Sequence, residues 1–169
     1  MNTTKQFTIV PATPAHVPAI HAMICELAQF EKLEHLLHGT TEALAAELFA
    51  TPPVIDAVTA LVDGTPVAFA LYFHNYSTFL ARKGLYLEDI YVKPAYRRQG
   101  IGRALLIHLA RIAVARGCGR FEWSVLDWNQ SAITFYEGLG ASILPEWRIV
   151  RVTGDALDTL ANAKAGLPD

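Results

Sequence analysis

Apolar residues in this chain recur at two different spacings, and the alternation between them predicts an α/β order of elements. Phe7 to Val10 reads as a strand. Val17, Ile20, Ile24 and Leu27 recur every three or four residues, which predicts a helix over Pro14 to Phe30, and a second helix is expected from about Thr41 to Phe49. Val54 to Val62 and Pro66 to Phe73 are apolar, β-branched runs joined through Asp63-Gly64, a hairpin turn sequence. Leu85 to Val92 is the next strand. Ile101, Leu105, Leu109 and Ile112 then line one face of a helix that Gly117 and Gly119 end. Phe121 to Val125 predicts a short strand, Gln130 to Leu139 a helix closed by Gly140, and Trp147 to Val152 a last strand before a minor C-terminal segment. The order is βααββ followed by βαβαβ, without repeats, low-complexity tracts or long linkers.

With 169 residues, 52% of them hydrophobic, the chain can bury one good core, so a single domain over residues 1–169 is expected, its core about 7–152. A net charge of −2 argues against general affinity for nucleic acid or membranes, but the charges are segregated. From Glu26 to Asp89 nine acids face three bases, Lys32, Arg82 and Lys83; from Lys93 to Arg120 there are seven bases and no acid. One part of the molecule should attract cations and another anions. No apolar run approaches the ~18 residues of a membrane span, and no apolar stretch follows a basic start, so a cytoplasmic location is expected. Cys25 and Cys118 suggest neither a disulfide framework nor a metal set, and His35, His38, His74 and His108 lack metal-ligand spacing.

Between the strand ending at Val92 and the helix beginning near Ile101 lies Tyr96-Arg97-Arg98-Gln99-Gly100-Ile101-Gly102-Arg103. Glycines let the backbone approach an anion, the helix start offers unpaired N–H groups and a positive dipole end, and arginines add forked donors. This is the make-up of a phosphate cradle. A nucleoside-triphosphate loop would need Gly-x-x-x-x-Gly-Lys-Ser/Thr, a string absent here, and a dinucleotide fingerprint would place a third glycine where Leu105 stands.

Glu88 and Asp89 are the second informative feature, since neighbouring residues of a regular strand point to opposite faces and each of these lies among apolar residues. At least one carboxylate should sit in a partly dry site with its pKa raised toward the range useful for proton transfer. Pairing with an arginine or capping a neighbouring backbone group is expected of Asp89 more readily than of Glu88. Tyr136 stands beside Ile133 and Leu139 at the spacing of a core aromatic, and Asn129 suits the N-cap of the helix that begins at Gln130.

The runs Leu85-Tyr86-Leu87-Glu88-Asp89-Ile90-Tyr91-Val92, Arg97-Arg98-Gln99-Gly100-Ile101-Gly102, Trp128-Asn129-Gln130-Ser131-Ala132-Ile133-Thr134-Phe135-Tyr136 and Gly140-Ala141 resemble the GNAT superfamily of N-acetyltransferases. Through Leu-Tyr-Leu-Glu-Asp, Trp-Asn and Trp147-Arg148, the closest likeness is to the diamine (spermidine/spermine) N-acetyltransferases. The resemblance runs from about Thr8 to about Val152. It implies the GNAT fold, a mixed central β-sheet flanked by helices with splayed parallel strands, Leu85 to Val92 and Phe121 to Val125, forming a coenzyme A slot. It implies acetyl-CoA as co-substrate, no metal, a small-molecule amine acceptor, direct attack in a ternary complex and a homodimer, for which the Trp147 strand is a candidate pairing edge.

Several residue roles follow from the same likeness. Backbone groups of Ile90, Tyr91 and Val92 would pair with the pantetheine arm. The cradle from Arg97 through Arg98, Gln99, Gly100, Ile101 and Gly102 to Arg103 would bind pyrophosphate, and Asn129 and Ala132 would also reach the coenzyme. Tyr136 would protonate the departing thiolate. A primary alkyl ammonium has a pKa near ~10.4, so well under ~0.1% is the reactive neutral amine at pH 7; Glu88 would hold the cation and take its proton, directly or through water. Phe30 and Glu31 align with the amine pocket, although Tyr-Glu is more usual there, and Glu34-His35 stands where a second acidic pair occurs. A diamine, a lysine-like amino acid such as thialysine, or another small amine is therefore open. Two further readings are a non-catalytic acyl-CoA-binding module and acetylation of a protein amine, the latter served by the acidic N-terminal half.

Overall fold

The computed structural model describes residues 6–163. The elements are β1 (Phe7–Pro11), α1 (Val17–Glu31), α2 (Thr41–Leu48), β2 (Asp56–Val62), β3 (Thr65–Ser77), β4 (Arg82–Val92), α3 (Ile101–Ala115), β5 (Phe121–Trp123), α4 (Gln130–Glu137) and α5 (Asp155–Asn162). They divide into two compact units, one up to Ser124 and one from Val125 onward.

In the first unit the five strands pair in sequence order, antiparallel from β1 to β4 and parallel between β4 and β5. The β2–β3 turn is the one expected: Val62 pairs with Thr65, and Asp63 (φ +50°) and Gly64 (φ +75°) both take the left-handed conformation that a two-residue hairpin needs. Along β3, neighbours on opposite faces are equally buried: Ala68, Phe69 and Ala70 are each 0% exposed. Both faces of the sheet are therefore covered. Val17, Ile20 and Met23 of α1, with Leu48 of α2, cluster with Ala57, Phe69, Leu71 and Tyr91 on one face. On the helix packed against β2, β3 and β4 from the other side, Ile101, Leu105, Leu106, Leu109 and Ala113 are buried. Burying such side chains stabilises by roughly 1.5–3 kcal/mol each, which fixes the start of α3 against the end of β4.

Strands β3 and β4 run further than their apolar cores predict. Pairs such as Asn75↔Gly84 and Tyr76↔Lys83 extend the ladder with polar residues, because backbone pairing outweighs weak strand propensity once the register is set. Helix α1 begins at Val17 after a single 3₁₀ turn, Pro14–His16.

The second unit contains α4 and α5. Here the expected strand over Trp147 to Val152 is not formed: the segment pairs with no strand of the described residues, and Trp147 and Val150 are 72% and 90% exposed. A β-propensity run becomes a strand only by finding a ladder partner. The candidate pairing edge for a dimer is thus not a strand. Among the described residues, no helix is long and apolar enough to cross a membrane.

Candidate active site

The geometry of the site is set by a bulge in β4. Pairing with β3 steps from Tyr72↔Leu87 to Leu71↔Asp89, so Glu88 has no residue opposite it. One extra residue reverses the strand's alternation. Before the bulge, Leu85 donates its N–H to the Arg120 carbonyl at 3.0 Å and the Lys83 carbonyl accepts from Gly119 at 2.9 Å, so odd-numbered backbone groups point toward β5. After it, Lys93 donates to the Val67 carbonyl at 3.0 Å, which turns 93 and 91 toward β3 and leaves the N–H and C=O of Ile90 and Val92 facing away from it. The β5 ladder ends at Leu87↔Trp123, so β4 continues from Glu88 to Val92 beyond the last registered pair, with the backbone groups of Ile90 and the N–H of Val92 turned to that edge and the Val92 carbonyl taken by Arg97. Tyr91 does not share in that edge, contrary to expectation, because its backbone groups face β3.

Beyond β4 the chain makes one 3₁₀ turn, Pro94–Tyr96, then takes left-handed backbone at Arg98 (φ +61°) and Gly100 (φ +82°) before α3 begins at Ile101. The first helical bond is Ala104 N–H to the Gly100 carbonyl at 2.9 Å, so the amides of Ile101, Gly102 and Arg103 lead the helix without partners four residues back. A Cβ at Gly102 would lie 3.7 Å from the Val92 side chain, which brings the helix start against the open edge of β4. Arg98 and Arg103 are exposed. Two cradle side chains point elsewhere. Gln99 donates to the Ala95 carbonyl at 3.2 Å, and Arg97 donates Nε–H to the Val92 carbonyl at 2.9 Å while its guanidinium lies 5.3 Å from the Tyr91 ring centre and 5.7 Å from that of Phe30.

The carboxylates also differ from expectation. The bulge puts Asp89 on the face of Leu71 and Tyr91, under α1, while Glu88 is exposed. Burial, then the charges of Glu88 and Glu31, push the Asp89 carboxyl up to about 6. Among the described residues no arginine or backbone donor offsets this. Asp89, rather than Glu88, is therefore the dry carboxylate. Burial also raises Glu31, the last residue of α1, where the chain leaves the helix through left-handed Lys32. Glu31 thus sits at the negative end of the helix dipole, and its charge, like that of Glu88, is felt by Asp89, an arrangement that favours a cation. Nearby, the Tyr91 hydroxyl donates to Glu26 at 3.0 Å and Lys93 lies 3.9 Å from the same carboxylate, tying α1 to β4. Among the described residues no group of three His, Cys, Asp or Glu side chains could hold a metal ion.

In the second unit, Asn129 caps α4 by accepting from Ala132 N–H at 3.3 Å, the local role its position predicts. Tyr136 is half-buried, its ring 5.5 Å from that of Phe135.

Sequence reasoning missed the dry Asp89 and the inward turn of Arg97. The former left a trace: apolar alternation runs Leu85, Leu87 and then Ile90, Val92, a phase slip of one residue at Glu88-Asp89.

Comparison with known proteins adds a lineage to this geometry. The model of the Acetyltransferase (GNAT) family matches residues 21–141. The L-ornithine N5-acetyltransferase of Arabidopsis thaliana is 38% identical over 195 residues, covering 88% of this chain and 85% of that protein. The thialysine N-epsilon-acetyltransferase of Mus musculus is 41% identical over 153 residues, covering 84% and 89%. Among solved structures, an integron cassette protein from the mobile metagenome of V. cholerae superposes with a TM-score of 0.78 at 25% identity, covering 93% of this chain and 98% of that one.

Proposed function

The chain belongs to the acetyltransferase (GNAT) family, with its fold, and is an N-acetyltransferase; on that premise we propose that its acceptor is the terminal primary amine of a small cationic molecule, an ornithine- or thialysine-like amino acid or a diamine. The observation that carries this reading is the group of Glu31, Glu88 and Asp89 at the end of α1 and the bulge of β4. GNAT acetyltransferases use acetyl-CoA, which supplies a thioester open to attack by an amine. The donor set suits such a molecule: the backbone groups of Ile90 and the N–H of Val92 face an amide-bearing arm, and Gly100 to Arg103, with Arg98, offer amides and charge to a pyrophosphate.

On the acceptor side, Glu31 and Glu88 hold the ammonium, and Asp89 takes its proton. A base with a pKa near 6 is better matched to neutral pH than an ordinary carboxylate, and the arriving cation favours its ionised form. This assigns to Asp89 the proton transfer expected of Glu88, and leaves Glu88 to attract the cation. Tyr136 protonates the departing thiolate in the same reading. Relatives bearing ornithine and thialysine in their names support an amino-acid acceptor.

The test is coenzyme A release across a panel of ornithine, lysine, thialysine, putrescine, spermidine and a lysine-containing peptide. Turnover of one or more small amines at a kcat/KM at least tenfold above the peptide is expected; preferential acetylation of the peptide would overturn the small-acceptor reading.

A further inference from the structure

Arg97 opens the motif that reads as a phosphate cradle, yet its side chain is committed to the other side of β4. We infer that Arg97 is a positioning residue of the acceptor side, holding Phe30, and with it Glu31, against β4; the inference rests on the amine-acceptor reading above. Three contacts converge on one guanidinium. Its Nε–H is donated to the Val92 carbonyl at 2.9 Å, and its carbon lies within cation–π range of both Tyr91, at 5.3 Å, and Phe30, at 5.7 Å. Tyr91 is fixed, buried in the α1 core and bonded through its hydroxyl to Glu26. Phe30 is different: it is 44% exposed on the last turn of α1, outside the buried core. Arg97 therefore spans from a rigid ring on β4 to an exposed ring one residue before Glu31. The carboxylate that Asp89 senses electrostatically is thereby kept at the mouth of the acceptor site.

The arrangement depends on what distinguishes arginine from lysine. A planar guanidinium can stack on two rings while its Nε serves a carbonyl, whereas an ammonium is a compact point charge that satisfies a phosphate but not this geometry. Conservative replacement therefore separates the roles. A phosphate ligand is largely rescued by lysine; this positioning role is not.

The experiment uses the full-length protein with Arg97→Lys, Arg97→Ala and Phe30→Leu. It measures acetyl-CoA affinity by calorimetry, kcat and KM for the best amine of the panel, and hydrogen exchange of the amides from Ala28 to Glu31. Both Arg97 variants should raise the amine KM roughly tenfold, the scale of one desolvated pair of cation–π contacts. Acetyl-CoA affinity should stay within about twofold and exchange at the end of α1 should quicken. Adding Phe30→Leu to Arg97→Ala should raise KM no further, since the two side chains act as one unit. Loss of acetyl-CoA affinity in Arg97→Ala with recovery in Arg97→Lys and an unchanged amine KM would overturn the inference, as would no change in any arm. If the wild-type protein binds acetyl-CoA but acetylates no amine, the acceptor reading fails by itself, and exchange from Ala28 to Glu31 still decides whether Arg97 holds the helix end.

Discussion

The end of β4 and the turn that follows it are covalent neighbours with opposite chemistry. Glu88 and Asp89 belong to a carboxylate group that contains Glu31 and has one member largely withdrawn from water, whereas Arg98 to Arg103 present exposed guanidinium groups and helix-leading amides. In the proposed reading one region would recognise its ligand through charged side chains whose direction matters. The other would do so through backbone, where side-chain identity constrains little. The boundary between them is Val92, whose carbonyl faces the open edge of the strand and already accepts from Arg97. Substitutions in the first region should therefore act on the acceptor and on proton transfer, and substitutions in the second on the acyl donor.

The largest effects should fall on proton transfer. Asp89→Asn keeps shape but removes the base, so turnover should drop by roughly 10²- to 10⁴-fold at neutral pH and recover partly at high pH, where more of the amine is already neutral. Glu88→Gln, at the exposed position, should mainly raise the amine KM; were it the more damaging to kcat, the bulge would not be assigning the roles. Tyr136→Phe should lose a comparable 10²- to 10⁴-fold in kcat with acetyl-CoA affinity kept, since only a hydroxyl is removed. Near-wild-type kcat in a stably folded Tyr136→Phe would return Tyr136 to a packing role beside Phe135.

A smaller effect should break the donor side alone. A Cβ at Gly102 would meet Val92 at an ordinary 3.7 Å, so Gly102→Ala should be tolerated, whereas Gly102→Asp adds a carboxylate at the helix start where phosphate is expected. Calorimetry should show acetyl-CoA affinity within about threefold of wild type for the first and weakened by roughly 10- to 100-fold for the second, an electrostatic penalty of about 1.4–2.7 kcal/mol. Equal affinities for the two variants would remove the phosphate from this turn.

The two regions also differed in how far they could be read in advance. The cradle was visible as a string because its requirements are local: glycine where backbone turns left-handed at Gly100, and Ile101, Leu105 and Leu109 at helical spacing to bury the helix behind it. Arg97 escaped that reading because its contacts, Phe30 and Tyr91, are brought to it by tertiary packing. On the acceptor side, strict alternation put Glu88 and Asp89 on opposite faces and the resemblance favoured Glu88, whereas a single unpaired residue makes Asp89 the dry one. Trp147 to Val152 failed for the complementary reason: apolar, β-branched residues supply propensity, but a strand is a relation between two segments.

The smallest effect is on stability, and its pH dependence is the sharpest check that Asp89 is the dry group. Its ordinary pKa of 3.8 is raised to about 6 in the folded protein. The folded state then binds more protons than the unfolded chain between about pH 4 and pH 6, so stability falls as pH rises across that window and remains lower above it. Two pKa units correspond to at most about 3 kcal/mol, and relaxation around a partly solvated carboxylate should leave about 1–2 kcal/mol. Asp89→Asn carries no charge at any pH and escapes this cost. In urea unfolding it should therefore be more stable than the wild-type protein by about 1–2 kcal/mol at pH 8, with the difference shrinking through pH 4 toward pH 3, where Asp89 is protonated in both states. A pH-independent difference for Asp89→Asn would mean that the bulge does not bury Asp89, and the acidic region would have to be rebuilt without a dry carboxylate at that position.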